Sequence, residues 1–294
     1  MDPYHDGSRA VQDRLGERTT ADHIGRSIGR GIREVAAAFL GLQPMLVVGA
    51  ADRAGRMWSS LLTGAPGFVR ATGPHRIAVT GGPPDGDPLA EALATEGTRV
   101  GTLALDPRTR RRMRLNGTAT PTPRGFAVEA EQVFSNCPRY LQRRKLHAPA
   151  PTPAGAVRRG RELTPGRRTL IRSADTFFIA TTAADGADAS HRGGNPGFIE
   201  VTSPTELTWQ DYPGNSMYLT LGNLEHDPRA GLLFLDWSTG TTLQLTGTAK
   251  ATYGARGRTT RFTIAESVET PHASPLRWSA PEYSPANPPL REPA

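Results

Sequence analysis

The sequence predicts a mainly β protein, a small β-barrel or sandwich with peripheral helices, present in two tandem copies. Three observations carry this. Residues 60–119 align with 190–249 at a constant offset of 130, and 19 of the 60 columns are identical, where unrelated chains of ordinary composition would share roughly four. Short β-rich runs recur with turn signals between them, the pattern of a barrel or sandwich. Gly (32) and Pro (26) together make about a fifth of the 294 residues, against roughly 12% on average, which disfavours a helical bundle or coiled coil.

Taken in order, residues 1–19 are expected to form a flexible N-terminal arm. Residues 20–42 read as a leading helix, because Ile24, Ile28, Ile32, Val35 and Phe39 step by three or four positions along one face. Gly25, Gly29 and Gly31 weigh against it. The first copy spans 20–147. Its β-rich run at 45–50 leads through the Asp52–Gly55 turn to a second strand, as the run at 177–182 leads through Asp185-Gly186. Ile77–Val79 matches Leu207–Trp209, and Val100–Leu105 matches Ala230–Leu235. Between these pairs, 88–96 and 216–226 read as short helices. Residues 148–168, rich in Pro, Gly and Arg, are expected as a linker, 169–269 as the second copy, and 270–294, with seven prolines, as an extended tail.

Composition narrows the function classes. Hydrophobic residues are 37% and charged residues 21%, enough for a core and against wholesale disorder. No apolar run reaches the length of a transmembrane helix, and the polar start carries no secretory signal. Cys137 is the single cysteine, so no internal disulfide forms and a cytoplasmic location is expected. The net charge is +7, and all basic residues except Lys145 and Lys250 are arginines. They cluster at 108–114, 139–144 and 158–172 rather than along one stripe, which suits a small anion as well as nucleic acid. A nucleic-acid or membrane partner is therefore not expected.

Several familiar motifs are missing. Gly29-x-Gly31 lacks a third glycine and a preceding strand, and there is no Walker loop, HExxH or GxSxG. The seven histidines lack metal-ligand spacing, so no metal site is expected. Ser190 and His191 are strand neighbours and point to opposite faces, which rules out a nucleophile–base pair between them.

Two stretches are candidates for anion binding. Ser190-His191-Arg192-Gly193-Gly194 ends a strand with a cation and two glycines, a combination that lets backbone and guanidinium approach a phosphate. An ordinary hairpin end is the competing reading. Asp211-Tyr212-Pro213-Gly214-Asn215-Ser216-Met217 leads into Thr220-Leu221-Gly222-Asn223, where free N–H groups of a helical turn form an anion seat or Asn215 or Ser216 simply caps the helix. A third, secondary face comprises Arg110, Arg112, Arg114 and Asn116, which alternate along one strand. It suits an anionic cofactor, an acidic substrate or a partner, or a solvated hairpin. Cys137, and Trp58, Trp209 and Trp237, stand open between ligand contact and core packing.

ADTFFIAT at 174–181, SHRGGNPGF at 190–198, DYPGNSMYLTLGNL at 211–224 and DPRAGLLFLDW at 227–237 resemble the pyridoxamine 5′-phosphate oxidase-like family. WSSLLTGAPGF at 58–68, TRRRMRLNG at 109–117 and NCPRY at 136–140 resemble it in the first copy. The resemblance implies two tandem FMN-binding split β-barrels. Family members pair as homodimers, so one chain with two copies is expected to form an intramolecular pseudo-dimer, itself monomeric or a homodimer. FMN is the implied cofactor, with F420 or haem as alternatives in the same cleft. Ser190, His191, Arg192, Asp211, Tyr212, Asn215, Ser216, Met217, Thr220 and Asn223 are the implied cofactor-binding residues. The implied function is hydride or electron transfer through the flavin, to a small-molecule substrate or a flavin- or ferredoxin-type redox partner. A non-catalytic flavin-binding or sensor protein is the other reading, and no catalytic residue is assigned. At the first copy's equivalent of Asn215–Met217 stand Asp85, Gly86 and Asp87, whose acids would repel a phosphate. One main site, with its phosphate seat in the second copy, is therefore expected.

Overall fold

Gly67 and Gly197, 130 positions apart, both adopt φ 93°, a conformation that favours glycine, and each turns the chain into the same short hairpin. The computed structural model, which describes residues 2–150, 152–184, 186–255 and 257–290, repeats this equivalence throughout. The first copy contains β1 (Met45–Ala51), β2 (Met57–Thr63), β3 (Val69–Gly73), β4 (Arg76–Thr80), β5 (Thr98–Asp106), β6 (Arg111–Thr122) and β7 (Gly125–Ser135). After β8 (Arg158–Gly160), the second copy follows as β9 (Thr176–Ala183), β10 (Gly186–Gly193), β11 (Ile199–Ser203), β12 (Glu206–Asp211), β13 (Arg229–Leu235), β14 (Thr242–Gly254) and β15 (Gly257–Thr270). The sheet orders are β2-β1-β5-β6-β7-β4-β3 and β10-β9-β13-β14-β15-β12-β11, the same path twice, and the named strand pairs are antiparallel. Both copies carry a register shift at the same place, between Asn116 and Gly117 and between Thr246 and Gly247. The fold is thus mainly β: two tandem split barrels.

Each barrel has its own apolar core, one around Trp58, Ile77 and Phe126 and the other around Phe177, Phe234 and Phe262. A third core joins them. Met45, Val47, Leu103 and Leu105 pack with Phe178, Leu233, Leu235 and Trp237. Here β2 lies on β13 and β14 while β10 lies on β5 and β6, an approximate two-fold arrangement within one chain. The equivalent glycines Gly101 and Gly231 make the close approach possible. A Cβ on Gly231 would come within 2.5 Å of Trp58 Cα, and one on Gly101 would collide with Asp188 and Ala189.

The helices are α1 (Asp6–Arg14), α2 (Arg18–Gly25), α3 (Glu34–Gly41), α4 (Ala90–Leu93), α5 (Pro165–Ser173) and α6 (Leu219–His226). Three expectations change. The arm expected at 1–19 instead forms α1 and starts α2, with Met1 outside the described residues. The small Gly7 and Ser8 let α1 sit directly on Gly222 of α6, with Ser8 and Gln12 buried. The helix expected over 20–42 breaks into α2 and α3. Gly29 exchanges backbone hydrogen bonds with Val133 of β7 at 3.1 and 2.6 Å, bonds that glycine-weakened helical turns do not outcompete. The linker expected at 148–168, apart from the undescribed Pro151, contains β8, which extends the second sheet by pairing with β15, and the start of α5. That helix is capped by Thr164 with Pro165 at its first turn. The tail runs extended and bridges back through Arg143–Glu282 and Leu146–Trp278. Asp185 of the expected Asp185-Gly186 turn, and 291–294 of the tail, lie outside the described residues.

Candidate active site

Strand alternation and a left-handed loop build the candidate site. On β10, Ser190, His191 and Arg192 pair with Ile179, Phe178 and Phe177 of β9. The loop after β12 enters α6 through Ser216 (φ 57°) and Tyr218 (φ 55°), conformations that cost a non-glycine residue roughly 1–3 kcal/mol and recur at ligand sites. The Asn215 side chain accepts the Met217 N–H at 3.3 Å and so shapes this loop. Between these elements lies a cavity of about 100 Å³.

The cavity brings together Ser190, His191, Arg192, Asp211, Tyr212, Asn215, Ser216, Met217 and Thr220 with Arg112 and Arg114 of the first copy. Three other expected residues go elsewhere. Asn223 is buried and spent, donating to Thr181 Oγ1 at 3.0 Å and bonded to His5 at 2.8 Å, so it ties α6 to β9 and to the N-terminus. Arg110 lies in the turn before β6 at φ 55°, off the alternating face, and donates to the Leu141, Glu282 and Tyr283 carbonyls. Asn116 donates to Asp188 Oδ1 at 3.0 Å, and Arg114 forms a buried ion pair with the same carboxylate. The expected face thus docks largely onto the second copy and the tail, with Arg112 and Arg114 also lining the cavity.

Arg112 donates to His191 Nδ1 at 2.8 Å and to the Cys137 carbonyl at 2.7 Å. Because a guanidinium only donates, His191 Nδ1 accepts and its proton sits on Nε2. Burial, then Arg112 and Arg192, hold His191 well below the usual imidazole range. Burial, then Arg114 and Arg192, draw Arg112 down to about 9, which leaves it charged at neutral pH. Arg192 donates to Ser190 Oγ at 2.9 Å and to Asp211 at 3.2 Å, so Asp211 orients and partly neutralises it. Arg192 therefore serves as a strut between β10 and β12 with its Nε–H to spare.

Apart from the ion-paired Nη2 of Arg114, six buried side-chain atoms at this cavity lack a hydrogen-bond partner among the described residues: Nε of Arg112, Arg114, Arg192 and Arg258, Nε2 of His191 and Oδ1 of Asn136. An unpartnered buried polar group costs roughly 1–3 kcal/mol, and five of the six are donors, drawn from both copies. Arg139, Tyr140 and Arg258 also line the cavity but lie outside the expected set. Arg139 and Tyr140 were visible in the NCPRY motif, whereas Arg258 falls in β15 beyond the aligned repeat. Its guanidinium lies 5.3 Å from the centre of the Tyr218 ring. At the edge of the cavity, the Tyr140 hydroxyl donates to the Pro213 carbonyl at 2.8 Å, and Ser216 Oγ contacts the Glu17 carboxylate.

The equivalent place in the first copy is filled. Asp87 accepts from Ser60 Oγ at 2.7 Å, Gln244 Nε2 at 3.0 Å and the Leu89 N–H at 2.8 Å, and burial raises its carboxyl. Val157 of the linker packs at Gly86. A buried, hydrogen-bonded carboxylate thus lies at this place, beneath the linker that leads into β8. No helix among the described residues is long and apolar enough to cross a membrane, and no cluster of metal-ligating side chains occurs among them.

The His191 environment sets a pH dependence. The unfolded chain takes up a proton below about pH 6.5 and the folded chain does not, so stability falls on acidification through that range, by at most about 1.4 kcal/mol per pH unit. Urea unfolding at pH 7.5 and 5.5 should show a smaller loss for His191→Gln than for the wild type. Equal losses would remove His191 from the account.

The profile of the pyridoxamine 5′-phosphate oxidase family matches residues 163–278. No curated protein matches the chain. Among solved structures, HupZ from Group A Streptococcus is 15% identical, with 35% of this chain and 89% of that one covered at a TM-score of 0.28. The FAD binding protein from Mycobacterium smegmatis is 10% identical, covering 37% and 96% at 0.28. A protein related to general stress protein 26, of the pyridoxinephosphate oxidase family, from Clostridium acetobutylicum is 13% identical, covering 38% and 89% at 0.27. Structural likeness at this level carries no argument about ligand or reaction. Over residues 163–278, the second barrel and the loop that enters α6, the chain thus matches the pyridoxamine 5′-phosphate oxidase family.

Proposed function

We propose that the chain binds FMN in the cleft between its two barrels and works as a flavin-dependent oxidoreductase. The observation that carries this reading is the convergence of unpartnered, buried donors from Arg112, Arg192, Arg258 and His191 on one cavity at the start of α6. Such a set fits a phosphate dianion, since charge-assisted bonds to guanidinium and helix N–H groups offset the desolvation of both partners. Tyr140, Tyr212 and Tyr218 at the same cavity offer aromatic surface to a ring system. FMN, when bound, supplies hydride or electron transfer. The chain's residues bind and orient it: Arg112 and Arg258 oppose its charge, Asp211 fixes Arg192, and the His191 Nε2–H donates.

The cavity is smaller than the roughly 300–1,000 Å³ of ordinary cofactor sites. Entry of the ring requires the Tyr140–Pro213 bond and the Glu17–Ser216 contact to give way, with the loop at 213–218 moving outward. Haem is the weaker alternative, because His191 already accepts a hydrogen bond at Nδ1 and carries its proton on the nitrogen an iron would need. F420 shares the phosphate chemistry and is separated by experiment.

Flavin-free protein titrated with FMN, riboflavin and F420 should bind one FMN per chain, at least tenfold tighter than riboflavin, with reduction by a hydride donor bleaching the bound flavin. Equal affinity for FMN and riboflavin would remove the phosphate seat, and preference for F420 would replace the cofactor. A bound flavin that no donor reduces would make the protein a flavin carrier or sensor.

A further inference from the structure

Arg112 and Asn136 also line a second cavity, of about 610 Å³. It opens because the chain between α2 and α3 pairs with β7 instead of continuing as helix. One wall is apolar, with Phe39 from α3, Met113 from β6 and Val133 and Phe134 from β7. Val35, 69% exposed, stands at the same cavity. Four arginines, Arg33, Arg110, Arg111 and Arg112, also line it, and no Asp or Glu does among the described residues. Arg110 is committed to the tail. Arg33 and Arg111 make no ion pair among the described residues, and the Arg111 guanidinium sits 5.3 Å from the centre of the Phe39 ring. The buried Nε of Arg112 and Oδ1 of Asn136, both unpartnered, belong to the wall that the two cavities share.

An apolar wall with unopposed cations is complementary to an apolar body carrying one negative group, and the volume is that of a small-molecule site. We propose that this cavity binds a small aromatic anion, a carboxylate or sulfonate, and that it is the substrate side of the flavin site. The anion meets Arg33 and Arg111, and the ring lies against Phe39 and Met113. The substrate role rests on the flavin reading; the binding itself does not.

The probe is 8-anilinonaphthalene-1-sulfonate, followed by fluorescence in flavin-free protein, with uncharged N-phenyl-1-naphthylamine as control. The variant is Arg33→Glu with Arg111→Glu, two exposed positions that do not line the flavin cavity. The sulfonate should bind the wild type at one site and the variant at least tenfold more weakly. The uncharged amine should change less than threefold, and the variant should keep its FMN affinity. Equal sulfonate binding by both proteins, or equal loss of both probes, would overturn the proposal. Discrimination by the sulfonate in a protein that binds no FMN would uphold the cavity and sink the flavin reading alone.

Discussion

Asp188→Ala should destabilise the protein by about 3–5 kcal/mol, the cost of leaving a buried cation without its partner. The Asp188 and Arg114 side chains are 5% and 6% exposed and form an ion pair across the two barrels. Asn116 donates to the same carboxylate, and Arg114 stacks 4.8 Å from the centre of the Phe134 ring. Total stabilities of about 5–15 kcal/mol make this a large fraction. Urea unfolding measures it, and a loss under about 1 kcal/mol would show that water reaches the pair. Asp188→Leu combined with Arg114→Met should recover most of the loss, because a well-packed apolar pair replaces a buried ion pair at little or no cost. That double change separates an uncompensated charge from a packing defect.

Arg112→Ala should weaken FMN binding by about 1.5–3 kcal/mol, the range for hydrogen bonds to charged groups, or roughly 10- to 150-fold. The same change removes a positive neighbour that holds His191 down, so the His191 imidazole should titrate closer to its ordinary range. Fluorescence titration reads the first effect and NMR titration of the imidazole the second. Weaker FMN binding with an unmoved imidazole would place Arg112 at the ligand but away from His191. An unchanged FMN affinity would take Arg112 out of the site.

The two effects differ in how visible their causes are in the chain. Gly67 and Gly197 could be matched because a turn that requires positive φ keeps its glycine and its spacing. Arg112 could be placed on a face because alternation along β6 follows from the pleat. Alternation does not name the partner across the interface. Arg114 met Asp188, Arg112 met His191 and Arg110 met the tail, although they were expected together on one surface. Asn223 matched the site motif in sequence, yet its amide is consumed by Thr181 and His5. Glu17, at the Ser216 hydroxyl, carried no local signal, because the contact depends on α1 lying on α6.

Local chemistry in the chain therefore carried the duplication, the matched strands of the two copies, the loop that enters α6 and the acidic residues at its first-copy equivalent. All of these follow from turn residues and side-chain periods that act over a few positions. Docking of one barrel on the other settled which arginines line the cavity and which serve as struts, and it set how narrow the cavity is. Those outcomes depend on contacts between residues far apart in the chain, where burial and the supply of hydrogen-bond partners, rather than residue type, assign each charge its role.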